Sequence, residues 1–318
     1  MENKNLNKKQ IWNLIKNISE PVYIAGHLKP DQDSFCSSMA LCLTLNKLGK
    51  NAKVLLKNSD LSEFLWVNQE IMKLVIENID ENKYCFIALD LNEKKRLGDF
   101  EKYFDNAKMT FNIDHHQDNK YEANYTFSNS KTSSTCQMIF EMLEEESLFE
   151  NDICEMIYAG MLNDTNCFSR RIDDKTLLVA QKLVNFGIDY SKIISETYKS
   201  RTMYEVKALS SAVNNIKYCG FHYLIIDKND ECYKNLTHNQ IVKKLAEDLR
   251  VIDEIKTFIV LIKQDNKIIG KVMTNESDNA NKIAELLGGG GHKKEAGFTI
   301  LNVTVEEIIE IIKNYLLI

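Results

Sequence analysis

The sequence lacks several features that mark particular classes of protein. It has no basic excess, because 40 lysines and arginines face 46 acidic residues and the formal net charge is −6. Proteins that bind long nucleic acid usually carry such an excess. No apolar run is long enough to span a membrane, and the Asn- and Lys-rich residues 1–10 do not have the pattern of a signal peptide. We therefore expect neither a long nucleic-acid duplex nor a membrane as partner, whereas a short phosphorylated ligand remains compatible with the charge.

The sequence also lacks any C-x-x-C pair, although it contains eight cysteines. Most of these cysteines lie in apolar contexts, which is typical of reduced, buried thiols in a cytoplasmic protein. The hydrophobic fraction of 44% is ordinary for a globular protein with a real core. A length of 318 residues allows two domains.

Apolar runs alternate with helical patterns through the first part of the chain. Predicted strands cover residues 22–25, 52–56, 84–89 and 109–113, and predicted helices cover residues 11–18, 34–48, 133–146, 152–161 and 174–186. A fully apolar strand suits the middle of a parallel sheet. The pattern predicts an α/β domain with a doubly wound, mainly parallel sheet over residues 1–189.

The second part of the chain has a different pattern. Residues 190–215 are helical and glycine-free, which predicts a helical linker. Residues 216–318 predict a smaller mixed α/β domain. Its strands are predicted at residues 221–226, 257–262, 268–273 and 297–301, and its helices at residues 241–249, 280–287 and 305–315.

A glycine run in the second domain has two interpretations. The run is Gly288, Gly289, Gly290 and Gly291, followed by His292 and Lys293. It could be a flexible hinge, or its backbone N–H groups could approach an anion closely. The imidazole and the lysines that follow favour the anion-binding interpretation.

Acidic and imidazole side chains follow several of the predicted strands and one helix. They are His27, Asp31 and Asp33 after the first strand, Asp90 after the third, Asp114, His115 and His116 after the fourth, and Asp164 after a helix. Each aspartate alone is more often a cap or turn residue. Their recurrence at strand ends, where open α/β sheets bind ligands, indicates a site. Carboxylates with a few imidazoles suit Mn²⁺ or Mg²⁺, and the count fits two metals that share a carboxylate and act at phosphorus.

With these motifs the chain resembles the DHH phosphoesterase superfamily with a DHHA1 domain. The matching stretches are residues 27–34, 89–90, 113–116, 163–165, 288–292 and 296–297. Size and domain order are similar to the bifunctional oligoribonuclease/pAp phosphatase (nano-RNase) branch. The resemblance implies a cytoplasmic enzyme with an active site in the cleft between the two domains. The longer RecJ exonucleases carry the same motifs in larger chains.

The resemblance also implies residue roles. His27 and Asp31 would hold one metal, Asp33, His115 and Asp164 the second, and Asp90 would bridge both. His116 would act at the scissile phosphate, with Asp114 orienting a histidine. Gly288, Gly289, Gly290, Gly291, His292 and Lys293 would bind substrate.

The implied activity is hydrolysis of short RNA to nucleoside monophosphates, and of pAp to AMP, by two-metal hydroxide attack. Mn²⁺ is the expected ion, with Mg²⁺ or Co²⁺ as substitutes, and a homodimer is a further expectation. Three alternatives stay open: a phosphodiesterase of cyclic dinucleotides or linear pApA, a RecJ-like single-strand exonuclease, and a catalytically idle nucleotide-binding module.

Two departures from the family pattern concern substrate binding. Glu295 stands where the family usually has the first alanine of an Ala-Ala-Gly ending. The strand before the glycine run often carries an Arg-Ser pair, but residues 273–277 contain no arginine. Lys271, Lys293 or Lys294 are the cations that could substitute, although lysine lacks the bidentate geometry of arginine.

Overall fold

The chain divides into two units in the computed structural model, and each unit is described by itself. The first unit spans residues 1–200 and the second spans residues 201–318. The division lies within the segment predicted as a helical linker. The structure describes residues 4–117, 119–120, 122–199, 202–237, 240–250, 252–275 and 278–316.

Seven strands among the described residues of the first unit form one sheet. In chain order they are β1 (Lys4–Asn5), β2 (Val22–Ala25), β3 (Ala52–Leu55), β4 (Val75–Ile76), β5 (Cys85–Leu89), β6 (Met109–Asp114) and β7 (Tyr125–Ser128). Their order in the sheet is β1-β7-β6-β5-β2-β3-β4. All neighbouring pairs are parallel. The prediction of a mainly parallel sheet is confirmed.

The strand order contains a topological switch between β2 and β5. The chain passes from β2 to β3 on one side, and the later strand β5 returns to the other side of β2. In open α/β sheets ligands bind at the carboxyl ends of the strands beside such a switch. The fold therefore directs attention to the residues that follow β2 and β5.

Helices surround this sheet. The α-helices of the first unit are α1 (Lys8–Ile15), α2 (Gln32–Lys47), α3 (Gln69–Met72), α4 (Glu101–Asp105), α5 (Thr135–Leu143), α6 (Asn151–Thr165), α7 (Thr176–Asn185) and α8 (Tyr190–Ile194). Short 3₁₀ segments cover Asn58–Phe64, Lys94–Phe100 and Glu144–Glu146, and a π-helical turn covers Ser195–Lys199. Helix α2 packs against α5 and α6.

The predicted helices exist with shifted ends. Helix α1 begins earlier than predicted because Asn7 and Gln10 form a capping box at its start. Helix α6 runs on to Thr165, so Asp164 lies in its last turn. The core strand β5 is buried at all five of its residues, as its continuous apolar sequence predicts.

The second unit is built on a mixed sheet of six strands among its described residues. The strands are β8 (Lys217–Tyr218), β9 (His222–Asp227), β10 (Thr257–Gln264), β11 (Lys267–Thr274), β12 (Gly290–His292) and β13 (Glu295–Leu301). Their order is β12-β13-β11-β10-β9-β8, in which β9 and β10 are parallel and the other pairs are antiparallel. The predicted mixed α/β architecture is confirmed.

Each face of this second sheet has its own apolar core. One core includes Leu224, Val260 and Met273 with Ala208 and Ala212 of a helix. The other includes Ile259, Val272 and Phe298 with residues of two later helices. The helices of this unit are α9 (Met203–Asn214), α10 (Ala246–Arg250), α11 (Ala280–Glu285) and α12 (Val305–Leu316), with a π-helical segment at Gln240–Leu245 before α10.

Two further expectations can be compared with the described residues. All eight cysteines are free thiols. Five of them are buried and three are partly exposed, so the expectation of buried thiols holds for the majority. Within the described part of the chain, no helix combines the length and apolar character needed to cross a membrane.

Candidate metal centre

Three neighbouring strands deliver most of the predicted ligands to one edge of the first sheet. β5 lies between β2 and β6, and all three run in the same direction. The residues after β2, after β5 and at the end of β6 therefore meet at the switch point. This arrangement brings together seven side chains in three overlapping groups that could hold metal ions: His27, Asp31, Asp33, Asp90, His115, His116 and Asp164.

The first group consists of His27, Asp31 and Asp90. The Nδ1 atom of His27 lies 3.0 Å from the Leu28 carbonyl oxygen. Because a carbonyl only accepts, Nδ1 carries the hydrogen and Nε2 keeps its lone pair. Nε2 lies 3.9 Å from Asp31 Oδ2 and 3.7 Å from Asp90 Oδ2. These separations are too long for hydrogen bonds but suit ligands that share one ion.

Two neighbours fix this group. The Asp31 carboxylate caps helix α2 by accepting from the Ser34 backbone N–H at 3.0 Å, so it is both a cap residue and a candidate ligand. The Ser34 hydroxyl accepts from the His27 backbone N–H at 3.1 Å. A Cβ at Gly26 would lie 1.9 Å from this hydroxyl oxygen, so the close approach requires glycine there.

The second group consists of Asp33, His115 and Asp164. His115 Nδ1 lies 3.4 Å from the Thr132 carbonyl oxygen, so Nδ1 carries a hydrogen and Nε2 is the nitrogen that faces the carboxylates. His115 Nε2 lies 3.2 Å from Asp164 Oδ2 and 3.5 Å from Asp90 Oδ1. A backbone carbonyl behind the imidazole is the usual way in which proteins orient a metal-binding histidine.

Asp90 is the residue that both groups share. Its Oδ2 faces His27 and its Oδ1 faces His115. The Thr135 hydroxyl also donates to Oδ1 at 3.1 Å. Asp90 has a left-handed backbone conformation with φ of 62°, which costs about 1–3 kcal/mol for a residue other than glycine and is concentrated at functional sites. The carboxylate therefore has the position that a bridging ligand requires.

Asp33 is held by the start of helix α5. Its Oδ2 accepts from the Thr135 backbone N–H at 2.7 Å and its Oδ1 from the Cys136 N–H at 2.9 Å. The positive end of the helix dipole thus stabilises a carboxylate that is fully buried. Helix α6 approaches closely at Gly160, where a Cβ would lie 2.2 Å from Cys136 Sγ.

The electrostatics of this cluster call for added positive charge. Burial and the neighbouring Asp164 carboxylate raise the pKa of Asp33 to about 7. Burial and the carboxylates of Asp33 and Asp31 raise the pKa of Asp90 well above its usual range. Burial opposes the charge on His115, but the surrounding carboxylates, Asp164 first, outweigh it and raise the pKa of His115 to about 10. Like charges at this density are stable only with protons or cations, and a cation bound among these carboxylates would take the place of the proton on His115 Nε2.

His116 has different surroundings from the other two histidines. Its Nδ1 lies 2.6 Å from Asp114 Oδ1, and because the carboxylate accepts, Nδ1 carries the hydrogen. Asp114 is buried, and although burial alone would raise its pKa, the hydrogen bond from His116 outweighs that effect and lowers the pKa. Asn119 donates to the other oxygen of Asp114 at 2.7 Å. Asp114 belongs to none of the candidate groups found among the described residues, and its carboxylate is placed to orient His116.

The third group, Asp90 with His115 and His116, overlaps the first two. The contact between His116 and Asp90 is 3.7 Å long and uses Nδ1, the nitrogen that already donates to Asp114. Binding an ion through this atom would break the shorter bond. The geometry therefore favours the first two groups as the ion sites and leaves His116 Nε2 for another role.

Several side chains of the site are not indicated by the sequence. Thr135 contacts Asp90 through its hydroxyl, and Asn119 bonds to both Asp114 and Asn112. These residues follow no strand, and serine, threonine and asparagine are too common for their presence to mark a site. Only the position of Ser134 as the cap of helix α5 is a recognisable sequence signal.

The predicted substrate-binding residues lie together in the second unit. Gly288, Gly289, Gly290, Gly291, His292 and Lys293 connect the end of helix α11 to strand β12 and the turn after it. The Lys293 carbonyl accepts from the Ala280 backbone N–H at 2.7 Å and from the Thr274 hydroxyl at 3.4 Å. The side chain of His292 lies outside the described residues. These contacts anchor the segment to β11 and α11.

Comparison with protein families agrees with both units. A family model described as "DHH family, N-terminal domain" matches residues 21–161, and a "DHHA1 domain" model matches residues 221–317. Between them, the two models cover most of the chain. The chain therefore contains a DHH family N-terminal domain followed by a DHHA1 domain. The resemblance drawn from the motifs is therefore confirmed.

Individual relatives of this DHH–DHHA1 protein have low sequence identity to it, but they match it over most of its length. The probable bifunctional oligoribonuclease and PAP phosphatase NrnA of Streptococcus mutans is 24% identical over 93% of this chain and 95% of the relative. The cyclic-di-AMP phosphodiesterase PdeA of Listeria monocytogenes is 23% identical over 91% of this chain, but only 46% of PdeA is covered.

A solved structure supports the fold in the same way. An exopolyphosphatase-related protein from Bacteroides fragilis matches 97% of this chain and 95% of its own chain, with a TM-score of 0.81 and 20% identity. At that identity the similarity establishes the fold alone.

Proposed function

We propose that this protein is a metal-dependent phosphoesterase that hydrolyses short oligoribonucleotides to nucleoside monophosphates and pAp to AMP. The observation that carries the proposal is the position of Asp90, whose two carboxylate oxygens face the two candidate ion sites. The name of the Streptococcus mutans relative, which matches over nearly the whole chain, supports the choice of substrates.

The donor set fits two divalent ions of the harder type. It consists of aspartate oxygens and imidazole Nε2 atoms, and no thiolate belongs to any of the groups found among the described residues. We propose Mn²⁺, with Mg²⁺ or Co²⁺ as substitutes. Two such ions, when bound, polarise phosphoryl oxygens and activate water for attack at phosphorus.

The remaining catalytic role belongs to His116. Its Nδ1–H is held by Asp114, and Asp114 is held by Asn119, so the ring has a fixed orientation and a fixed tautomer. We propose that His116 acts as the doubly protonated imidazolium, whose Nε2–H contacts the substrate phosphate and passes its proton to the leaving oxygen. The ring that remains is the neutral imidazole with its hydrogen on Nδ1, held by Asp114. Asp114 is then a positioning residue, because it acts through the imidazole.

The overall charge supports a short substrate. Acidic residues outnumber basic ones by 46 to 40, and binding of a long single strand normally relies on a continuous basic groove with stacking aromatics. We propose that substrates of a few nucleotides are preferred to long strands. The match to PdeA favours a second candidate activity, hydrolysis of cyclic dinucleotides or linear pApA.

A substrate panel in the presence of Mn²⁺ tests the proposal. The substrates are a five-nucleotide RNA, a 24-nucleotide RNA, pAp, pApA and a cyclic dinucleotide. We expect the five-nucleotide RNA and pAp to be hydrolysed fastest. Fastest turnover of the cyclic dinucleotide would establish the second candidate, and equal rates on the two RNA lengths would indicate an exonuclease of the RecJ type.

The variant Asp90→Asn identifies the site that carries the reaction. We expect a loss of about a thousandfold or more, because the metals contribute several kcal/mol of charge stabilisation and both depend on this carboxylate. Asp105→Asn, which changes a surface ion pair with Lys94, is the matched control. Unchanged hydrolysis by Asp90→Asn, or nucleotide binding without any hydrolysis by the wild type, would refute the proposal.

A further inference from the structure

A row of paired residues crosses the sheet of the second unit, and its side chains change along the row from apolar to charged to none. The row consists of Leu224, Val260, Lys271, Gly297 and Gly290, on five neighbouring strands from β9 to β12. Leu224 and Val260 are fully buried in an apolar core. Residues opposite one another in neighbouring strands share a face of the sheet. The apolar face therefore ends at Lys271, and two glycines without side chains lie beyond it.

Lys271 forms an ion pair with Glu295. Glu295 lies on β13, two residues before Gly297, so both point to the same face as Lys271. The Lys271 Nζ atom donates to Glu295 Oε1. The two side chains are only 13% and 16% exposed. Desolvation largely cancels the attraction of such a pair, so it contributes little to stability compared with apolar residues in the same place.

The far end of the row, at Gly290, borders open space. A Cβ placed at Gly290 would meet only Asn281 Oδ1, at 3.7 Å. An ammonium group has three N–H donors, and the contact with Glu295 Oε1 uses one of them. Lys267, the other cation of β11, pairs with Gln264 and Leu301 at the opposite end of the strand. Lys271 is thus the cation of β11 that lies next to the glycine segment.

We propose that Lys271 binds a phosphate group of the nucleotide substrate and that Glu295 is the positioning residue that holds its ammonium group. The inference rests on the proposed function for the identity of the ligand, a nucleotide phosphomonoester. It explains two departures from the family pattern together. The lysine supplies the cation that the missing arginine would provide, and the glutamate that replaces alanine restrains its flexible side chain.

Binding of AMP to the full-length protein without metal tests the contact directly. The double variant Lys271→Met/Glu295→Ala removes the pair without leaving a buried charge unpaired. We expect its Kd for AMP, measured by calorimetry, to rise about tenfold, because a charge-assisted hydrogen bond is lost. Lys267→Met is the matched control on the same strand and should bind AMP like the wild type. A wild-type Kd in the double variant would overturn the proposal.

Kinetics distinguish positioning from a merely structural role. In the single variant Glu295→Ala we expect a higher KM for pAp with kcat little changed, and Glu295→Gln should restore part of the KM because its amide oxygen can still accept from Lys271. Hydrolysis of bis-p-nitrophenyl phosphate, which carries no nucleotide, should be the same in all variants. An equal fall of kcat on both substrates would overturn the assignment of Glu295.

The two proposals fail in different ways. If the wild-type protein hydrolyses no phosphoester with Mn²⁺ but its AMP affinity still depends on Lys271, the proposed function is wrong and the anion contact stands. If hydrolysis occurs and depends on Asp90 while AMP affinity is insensitive to Lys271, the contact is wrong and the proposed function stands.

Discussion

The two units differ in how their buried charges are compensated. The first unit collects four aspartates and three histidines at the ends of β2, β5 and β6 and the last turn of α6. Burial and the neighbouring carboxylates raise the pKa of both Asp33 and Asp90. The second unit places one lysine against one glutamate beside glycines. Its charges compensate each other within the chain.

This difference separates a site that requires a cation from a site that already contains one. A cluster of like charges at low dielectric is costly, and metal binding relieves the cost. A lysine–glutamate pair needs no ion and presents its remaining N–H donors to an anion. Under the two proposals, reaction chemistry depends on the first unit and ligand selection on the second.

Metal binding should give the largest effect and should be confined to the first unit. Mn²⁺ at about a thousand times its Kd is expected to stabilise the protein by about 4 kcal/mol per site. Hydrogen exchange should slow in β5, β6 and the start of α5, whereas β11 and β13 should exchange as before. Equal slowing of hydrogen exchange in both units would contradict this prediction.

The same stabilisation should depend on pH in a defined direction. The pKa of Asp33 in the folded protein is raised to about 7 from an ordinary value of 3.8. The stability from its protonated form is therefore complete below the ordinary value and is lost as pH rises through about 7. Since ions require the deprotonated carboxylate, the gain in Tm on adding Mn²⁺ should be larger at about pH 8 than at about pH 6. A gain that is independent of pH would contradict this.

Asp114→Asn should lower activity by an intermediate factor and leave metal binding unchanged. The substitution removes the carboxylate that accepts from His116 Nδ1–H, and loss of such an orienting partner typically costs about 10–100-fold. We expect kcat to fall by this factor while the gain in Tm on adding Mn²⁺ is retained, because Asp114 is not placed as a ligand. Loss of the Tm gain would show instead that Asp114 belongs to the ion sites.

Thr274→Val in the second unit should have the smallest effect. The hydroxyl donates to the Asp278 carbonyl at 3.1 Å and to the Lys293 carbonyl at 3.4 Å. Its loss should lower the free energy of unfolding by about 1 kcal/mol and raise the KM for pAp, without changing the Tm gain from Mn²⁺. The exposed Thr299→Val on β13 is the control. A change in the metal response would show that the units are not independent.

Sequence patterns predict much of the fold and of the ion sites. Strand β5 has a continuous apolar sequence, and β6 alternates apolar residues with Thr110, Asn112 and Asp114. The carboxyl ends of both strands carry residues that the structure brings together. The short strands β1, β4 and β7 are not predicted, because two to four partly exposed residues carry no clear periodicity. The candidate metal ligands can be recognised in the sequence because aspartates and histidines recur after several strands. The residues that contact these ligands cannot be recognised, because hydroxyl and amide side chains are common throughout the chain.

The surroundings of the predicted substrate-binding segment include contacts that sequence patterns do not predict. Residues 288–293 lead from helix α11 into strand β12 and the turn after it, and the Lys293 carbonyl accepts from the Ala280 backbone N–H. Lys271 and Glu295 are 24 positions apart, and only the antiparallel register of β11 and β13 brings them into contact. Three lysines in the sequence could substitute for the missing arginine. Of these, Lys271 is the one that the strand register places against Glu295.

The order of apolar runs and the chemistry of the residues that follow them determined the mainly parallel sheet and the choice of candidate ligands. These features are local, because each depends on a strand and the few residues after it. Tertiary structure decided what lies behind each ligand: the Leu28 and Thr132 carbonyls behind two imidazoles, the start of helix α5 behind Asp33, and Glu295 beside Lys271. Such partners depend on packing between distant segments, and it is packing that fixes which nitrogen or oxygen of each side chain is free to act.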